Sequence, residues 1–152
     1  MTEQTASSIV VEAPPATVMS VIADFSSYPL WAKGVKVAEV LATVDATEGA
    51  RAKRVRFNLD VPPIRDTYTL DYVWDGDRQV SWTLVEATLL RSMDGAYSLR
   101  DLGGGGLGGR TEVTYRLTLD LQIPLIGMLK RKGERVLIDT ALRGLKTRVE
   151  SL

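Results

Sequence analysis

Two periodicities divide the chain. From Val35 to Tyr115 and on to Leu121, apolar residues recur at every second position. Val55, Phe57 and Leu59 alternate with Arg54, Arg56 and Asn58, and Tyr68, Leu70, Tyr72 and Trp74 with Thr67, Thr69, Asp71 and Val73. Val80, Trp82 and Leu84 alternate with Ser81 and Thr83, and Tyr97 and Leu99 with Ser98 and Arg100. Val113, Tyr115, Leu117, Leu119 and Leu121 alternate with Thr114, Arg116, Thr118 and Asp120. Turn chemistry separates the runs at Glu48-Gly49, Pro62-Pro63, Asp75-Gly76-Asp77, Asp94-Gly95 and the glycine-rich stretch 103–109. With residues 35–44 included, the pattern predicts six consecutive strands. Alternation on one side only means antiparallel strands with one wet face and one covered face.

The two ends of the chain carry a helical period instead. Residues 8–12 read as a short strand that Ala13-Pro14-Pro15 interrupts. Proline suits the first turn of a helix, where its missing N–H costs nothing. Val18, Val21, Ile22 and Phe25 then predict a helix over residues 15–24. Ser26-Ser27-Tyr28-Pro29 predicts a turn, followed by a short second helix ending near Trp31. Pro124 opens a long helix over residues 124–149. Its stripe is Leu137, Ile138, Ala141, Leu142, Leu145 and Val149, and its wet face is Lys132, Arg135, Asp139, Arg143 and Lys146.

The predicted order is strand, helix pair, six-stranded meander, long helix. A helix about 10 Å across does not fill the concavity of a wide, bent sheet, so a cavity is expected between them. Gly133, Thr140 and Gly144 lie on one flank of the helix. A glycine inside a helix costs about 1 kcal/mol against alanine. Two of them mark either that space or a close helix–sheet approach.

Composition narrows the chemistry. The chain has 152 residues, the size of one domain, with 19 basic and 19 acidic residues and a formal net charge of zero. A neutral chain is not drawn as a whole to nucleic acid or to an anionic bilayer. Cysteine and histidine are both absent. That removes disulfides, thiolate and imidazole metal sites, cysteine nucleophiles and histidine bases. No metal and no cofactor is expected, and any chemistry must use Asp, Glu, Tyr, Lys, Arg or Ser. Met1–Ser8 lacks the features of a signal peptide, and no stretch approaches the ~20 apolar residues of a membrane span. The expectation is a soluble cytoplasmic protein with no integral membrane association and no nucleic-acid partner.

Three stretches resemble a known family. They are Ile9-Val10-Val11-Glu12-Ala13-Pro14-Pro15-Ala16-Thr17-Val18 with Phe25-Ser26-Ser27-Tyr28-Pro29-Leu30-Trp31; Ser81-Trp82-Thr83-Leu84 with Gly95-Ala96-Tyr97-Ser98-Leu99; and Thr111-Glu112-Val113-Thr114-Tyr115 with Pro124-Leu125-Ile126-Gly127-Met128-Leu129-Lys130-Arg131-Lys132. The chain resembles the polyketide cyclase/dehydrase-like proteins of the START-like (Bet v 1-like, SRPBCC) superfamily. The resemblance implies one domain over residues 1–152 with its core at about 8–149. It also implies an α+β helix-grip fold: a curved antiparallel sheet of about seven strands around a long C-terminal helix, with two short helices after the first strand. Members include aromatase/cyclases, lipid and quinone carriers, hormone receptors and chaperone-associated modules, and fold alone does not choose among them.

By parity, Phe57, Tyr68, Tyr72, Trp82, Tyr97 and Tyr115 share the apolar face. With Trp31 at the entrance and Leu137 on the helix, they are the expected lining of a site for a hydrophobic, partly oxygenated small molecule. The alternative for the aromatics is a filled core, and for Trp31 a plug rather than a gate. Gly103, Gly105 and Gly108 satisfy G-x-G-x-x-G, but a strand follows them where phosphate binding needs a helix, so nucleotide binding is rejected. Two basic clusters stand out: Arg51, Lys53, Arg54 and Arg56, and then Lys130, Arg131, Lys132 and Arg135. They read as solvated faces, with an acidic partner or anionic lipid as the sharper alternative. Such patches permit a homodimer without demanding one.

Catalysis would need a proton donor and acceptor in the cavity. Tyr68, Tyr72, Tyr97 and Tyr115 are the candidates, with Arg65 or Arg91 as a cation at a strand end. No carboxylate is read as clearly facing inward, since Asp71 and Asp120 point outward by parity. A tyrosine of pKa ≈ 10 is a poor base. The residues favour a binding or carrier protein for a lipid, quinone or polyketide-like molecule, and the catalytic residues stay unassigned. An aromatase/cyclase or dehydratase, and an interaction module with a vestigial pocket, remain the alternatives.

Overall fold

The computed structural model describes residues 4–46, 49–61, 64–103, 109–121 and 127–152. Strand β1 (Thr5–Val11) leads into helix α1 (Pro15–Ala23), one 3-10 turn over Phe25–Ser27, and the short helix α2 (Tyr28–Trp31). Six strands follow: β2 (Val35–Ala46), β3 (Gly49–Val61), β4 (Ile64–Asp75), β5 (Gln79–Ala87), β6 (Leu90–Asp101) and β7 (Thr111–Leu121). Helix α3 spans Gly127–Glu150. The sheet is antiparallel throughout, seven strands in the order β1-β7-β6-β5-β4-β3-β2. The order of elements is the one the pattern predicts, and the arrangement is the helix-grip fold that the resemblance implies.

The sheet bends because its ladders are interrupted. Register shifts occur in β2–β3 at Val35/Val37, Val40/Ala42 and Ala42/Thr43, in β4–β5 at Thr69/Leu70 and in β6–β7 at Leu90/Ser92. Each extra residue kinks its strand and increases the local twist. Helix α3 rests on β1 and β7 and meets α1 and α2. It therefore covers one half of the concave face. The 3-10 turn and α2 pack on β2 and close the other side.

Several expectations need correction. Strand β1 begins at Thr5, three residues before the pattern shows it, because β7 supplies a partner as far as Leu117↔Thr5. Asp94-Gly95 is not a turn but lies inside β6, paired with Thr118 and Leu117. Gly95 is needed there for a different reason. A Cβ would stand 2.6 Å from the Trp82 ring and 2.8 Å from the Arg116 carbonyl oxygen. The β5–β6 connection is at Thr88-Leu89, where the Asp66 carboxylate accepts the backbone N–H groups of Thr88, Leu89 and Leu90 at 3.1, 2.8 and 2.8 Å. Asp66 has the parity of Tyr68 and is buried, so one carboxylate does face inward. The predicted turn at Pro62-Pro63 and the predicted helix opening at Pro124 lie outside the described residues.

The stripe of α3 is buried from Leu137 to Val149, with Ala141 partly so. Of the flanking small residues, Gly144 marks close approach: a Cβ on it would stand 2.2 Å from the Trp31 carbonyl oxygen. The first basic cluster is not one solvated face. Arg51 is buried, pairs with Asp77 at 3.0 Å and stacks on Trp74 at 4.9 Å. Arg54 grips Asp71 through two bonds of 2.7 and 3.0 Å, and Arg56 pairs with Glu39.

Candidate functional site

A cavity of about 80 Å3 lies between the concave face of the sheet and the flank of α3 that carries Leu137, Thr140 and Ala141. All eight residues expected to line a site border it: Trp31, Phe57, Tyr68, Tyr72, Trp82, Tyr97, Tyr115 and Leu137. The strands bring them there by parity. Phe57 comes from β3, Tyr68 and Tyr72 from β4, Trp82 from β5, Tyr97 from β6 and Tyr115 from β7. Their rings form one continuous network. Phe57 stacks on Tyr68 at 5.5 Å, Tyr72 meets Trp82 at 5.8 Å, and Trp82 meets Tyr97 and Tyr115 at 5.5 and 5.4 Å. Tyr97 and Tyr115 close the set edge to face at 4.6 Å. Such offset and edge-on contacts are the favoured geometry of aromatic pairs.

The wall also contains residues that the sequence pattern did not single out. Tyr28 comes from α2 and is held at both ends: its ring stacks on Phe25 at 4.8 Å and its hydroxyl donates to the Ile22 carbonyl at 2.5 Å. Leu59, Leu70 and Met93 fill apolar wall, and Thr140 presents a hydroxyl from α3. Leu59 and Leu70 share the parity of Phe57 and Tyr68, so that signal was present. Lys33, after α2, is exposed and reaches the rim. No periodicity marks a single loop lysine.

Tyr28 is one of five tyrosines in the chain, and all five border the cavity. The other four hydroxyls, on Tyr68, Tyr72, Tyr97 and Tyr115, have no hydrogen-bond partner among the described residues. Burial pushes all five phenols above their ordinary value near 10, and for all but Tyr115 the negative charge that ionised neighbours would carry adds to the effect. Each is therefore a neutral O–H donor across the physiological range. No carboxylate borders the cavity among the described residues. Asp66 is spent on three backbone N–H groups. Arg65 and Arg91 turn outward, to Asp60 at 3.1 Å and Asp120 at 3.8 Å. The result is an apolar aromatic chamber with several donors and no base.

Trp31, Lys33 and Thr140 border a second space as well. This is an outer groove of about 490 Å3 between α2 and the last turns of α3. Trp31 is buried, and its indole N–H has no partner among the described residues. Its backbone is fixed against Gly144, and its ring stands where chamber and groove meet.

An aromatic chamber under a curved sheet gripping a long C-terminal helix is the helix-grip class of fold. Residues 11–146 match the family of polyketide cyclase / dehydrase and lipid transport proteins. The chain belongs to that family. It is similar in structure to a START superfamily protein from Mycobacterium smegmatis, with 20% identity, a TM-score of 0.85 and 97% of each chain covered. It is also similar to a protein from Thermus thermophilus, with 25% identity, a TM-score of 0.75 and 98% of each chain covered. A third similar structure is the Zhui aromatase/cyclase from Streptomyces sp. R1128. There the identity is 19% and the TM-score 0.72, with 97% of this chain and 93% of that chain covered. No curated protein sequence matches. Among the described residues, no helix is long and apolar enough to cross a membrane, and no group of acidic residues is arranged to hold a metal ion.

Proposed function

We propose that this protein binds a hydrophobic, oxygen-bearing small molecule in the aromatic chamber, as a carrier or binding protein. The observation that carries this reading is the set of four tyrosine hydroxyls that face the chamber unpartnered among the described residues. These oxygens open on the chamber rather than being sealed in packed protein, so each can take a partner there. A ligand oxygen or water is the natural partner for them, while the aromatic walls take up apolar surface at ~25 cal/mol per Å2.

At about 80 Å3 the chamber is small beside the ~300–1,000 Å3 of pockets that enclose drug-sized ligands. Entry of anything larger than a single ring needs Trp31 and α2 to move outward, which would join chamber and groove. Trp31 then acts as a gate. The aromatase/cyclase alternative finds donors for a developing enolate but no base within the chamber, so binding is the better-supported role. The likeness to the Streptomyces aromatase/cyclase speaks for fold, not chemistry.

The test is to purify the protein from its own host, extract it with organic solvent and identify stoichiometric compounds by mass spectrometry. Trp82→Ala serves as the control. A defined hydrophobic compound that is reduced in the variant supports the reading. A chamber that yields no compound, and whose thermal midpoint responds to no lipid, quinone or polyphenol, overturns it.

A further inference from the structure

The outer groove differs in chemistry from the chamber it adjoins. Its polar wall is Lys33, Thr140, Arg143, Thr147, Arg148 and Ser151, and no carboxylate borders it among the described residues. None of the three cations forms an ion pair among the described residues. Elsewhere the arginines of β3 are neutralised: Arg51 by Asp77, Arg54 by Asp71 and Arg56 by Glu39. Among the described residues Arg143 makes one long bond, Nε to the Asp139 carbonyl at 3.3 Å, and its terminal N–H groups have no partner there. The end of a helix attracts one cation to its last turn, which accounts for Arg148. It does not account for Lys33 or Arg143, which come from outside that turn. Three unpaired cations around one concavity on a chain of zero net charge are a local positive field.

The groove also has an apolar side, since Leu30 is 73% exposed at its edge and Trp31 forms its inner wall. We propose that it is an anion subsite that joins the chamber when Trp31 moves aside, so that the ligand is an amphipathic acid. The apolar part would lie among the tyrosines and the acid group among Lys33, Arg143 and Arg148, with Trp31 at the junction. This rests on the chamber being the binding site. It adds the class of ligand: a carboxylate or phosphate monoester on an apolar body, rather than a neutral quinone or sterol. Arginine suits both acid groups because its planar fork donates two parallel bonds.

Two fluorescent probes of similar shape separate the claims. N-phenyl-1-naphthylamine is neutral, and 8-anilinonaphthalene-1-sulfonate carries one acid group. Both are titrated into wild type, Arg143→Gln/Arg148→Gln and Leu137→Trp at low and at high salt. The neutral probe has no charge for the arginines to pair with, so the double variant should shift its affinity by less than about twofold. Wild type should prefer the sulfonate by about tenfold at low salt, with the preference shrinking as salt rises and nearly gone in the double variant. Leu137→Trp should lose both probes. Displacement of the sulfonate by dodecanoate or by dodecyl phosphate then tells which acid group fits better. Equal affinity of wild type for the two probes overturns the anion subsite and leaves the chamber reading intact. So does a preference that survives in the double variant. Failure of wild type to bind either probe overturns both.

Discussion

The concave face has two halves that treat buried polar groups in opposite ways. Where α3 packs on β1, the buried Thr5, Thr111 and Glu134 are paired. Glu134 is 1% exposed, accepts from the Thr5 hydroxyl at 2.6 Å and the Leu119 N–H at 2.8 Å, and lies 3.9 Å from the Lys130 ammonium. Thr111 donates to the Ala13 carbonyl at 2.7 Å. Along the other flank of α3, across β4, β6 and β7, four tyrosine hydroxyls go without a described partner around an open volume. The first half is built like the interior of a stable protein. The second keeps polar capacity in reserve, and a surface held in reserve is where a ligand is expected.

The largest effect should appear in alkali. All five tyrosines are buried as neutral phenols, with pKa values raised above the unfolded value near 10. Above that pH the unfolded chain has released protons that the folded chain still holds, so stability falls as pH rises. The slope reaches about 1.4 kcal/mol per pH unit for each phenol. Stability from this source is fully present below pH 10. Tyrosinate absorbance should therefore rise in one cooperative step that coincides with loss of circular dichroism. Tyrosines titrating separately within a folded protein would break the comparison.

In the paired half, Glu134→Leu should cost about 3 kcal/mol, since it strands one hydroxyl and one backbone N–H and removes the partner of Lys130. Urea denaturation measures it, and Glu134→Gln, which keeps an acceptor, should recover part of the loss. Gly144→Ala comes next. Alanine favours a helix by about 1 kcal/mol, yet overpacking against the Trp31 carbonyl should turn this into a net loss of about 2 kcal/mol.

The smallest effects sharpen the comparison most. Tyr28→Phe removes a hydroxyl that is paired with the Ile22 carbonyl and should cost about 1 kcal/mol. Tyr97→Phe removes one without a described partner and should change stability by less than ~0.5 kcal/mol. Ligand binding should show the reverse order, with Tyr97→Phe the weaker binder. Equal stability costs for the two would mean that the chamber hydroxyls are satisfied after all.

Strands and their inward faces were legible because the period of two runs unbroken through β3, β4 and β7. The same parity placed the aromatic lining on one face. What escaped was where a side chain acts against its type. Glu134 occupies the stripe of α3, four residues before Ile138, where the pattern asks for an apolar residue. Asp66 occupies the inward parity of β4, two residues before Tyr68. Both are buried carboxylates consumed by backbone or hydroxyl donors brought from distant strands, and local pattern holds no record of those donors. Gly95 misled for a related reason. Asp-Gly reads as a turn, whereas this glycine makes room for the Trp82 ring on a neighbouring strand. Of the groove cations the pattern marked only Arg143, as part of the wet face of α3, and the fold alone gathers it with Lys33 and Arg148.

The central claim is that the chamber is a binding site and not a packing defect. The direct measurement is a fluorescence titration of N-phenyl-1-naphthylamine against wild type and Leu137→Trp, with the fold of each checked by circular dichroism. The account predicts saturable one-to-one binding to wild type and none to a folded Leu137→Trp, whose indole fills the space. Undiminished binding to the folded variant would place the ligand elsewhere and contradict the account.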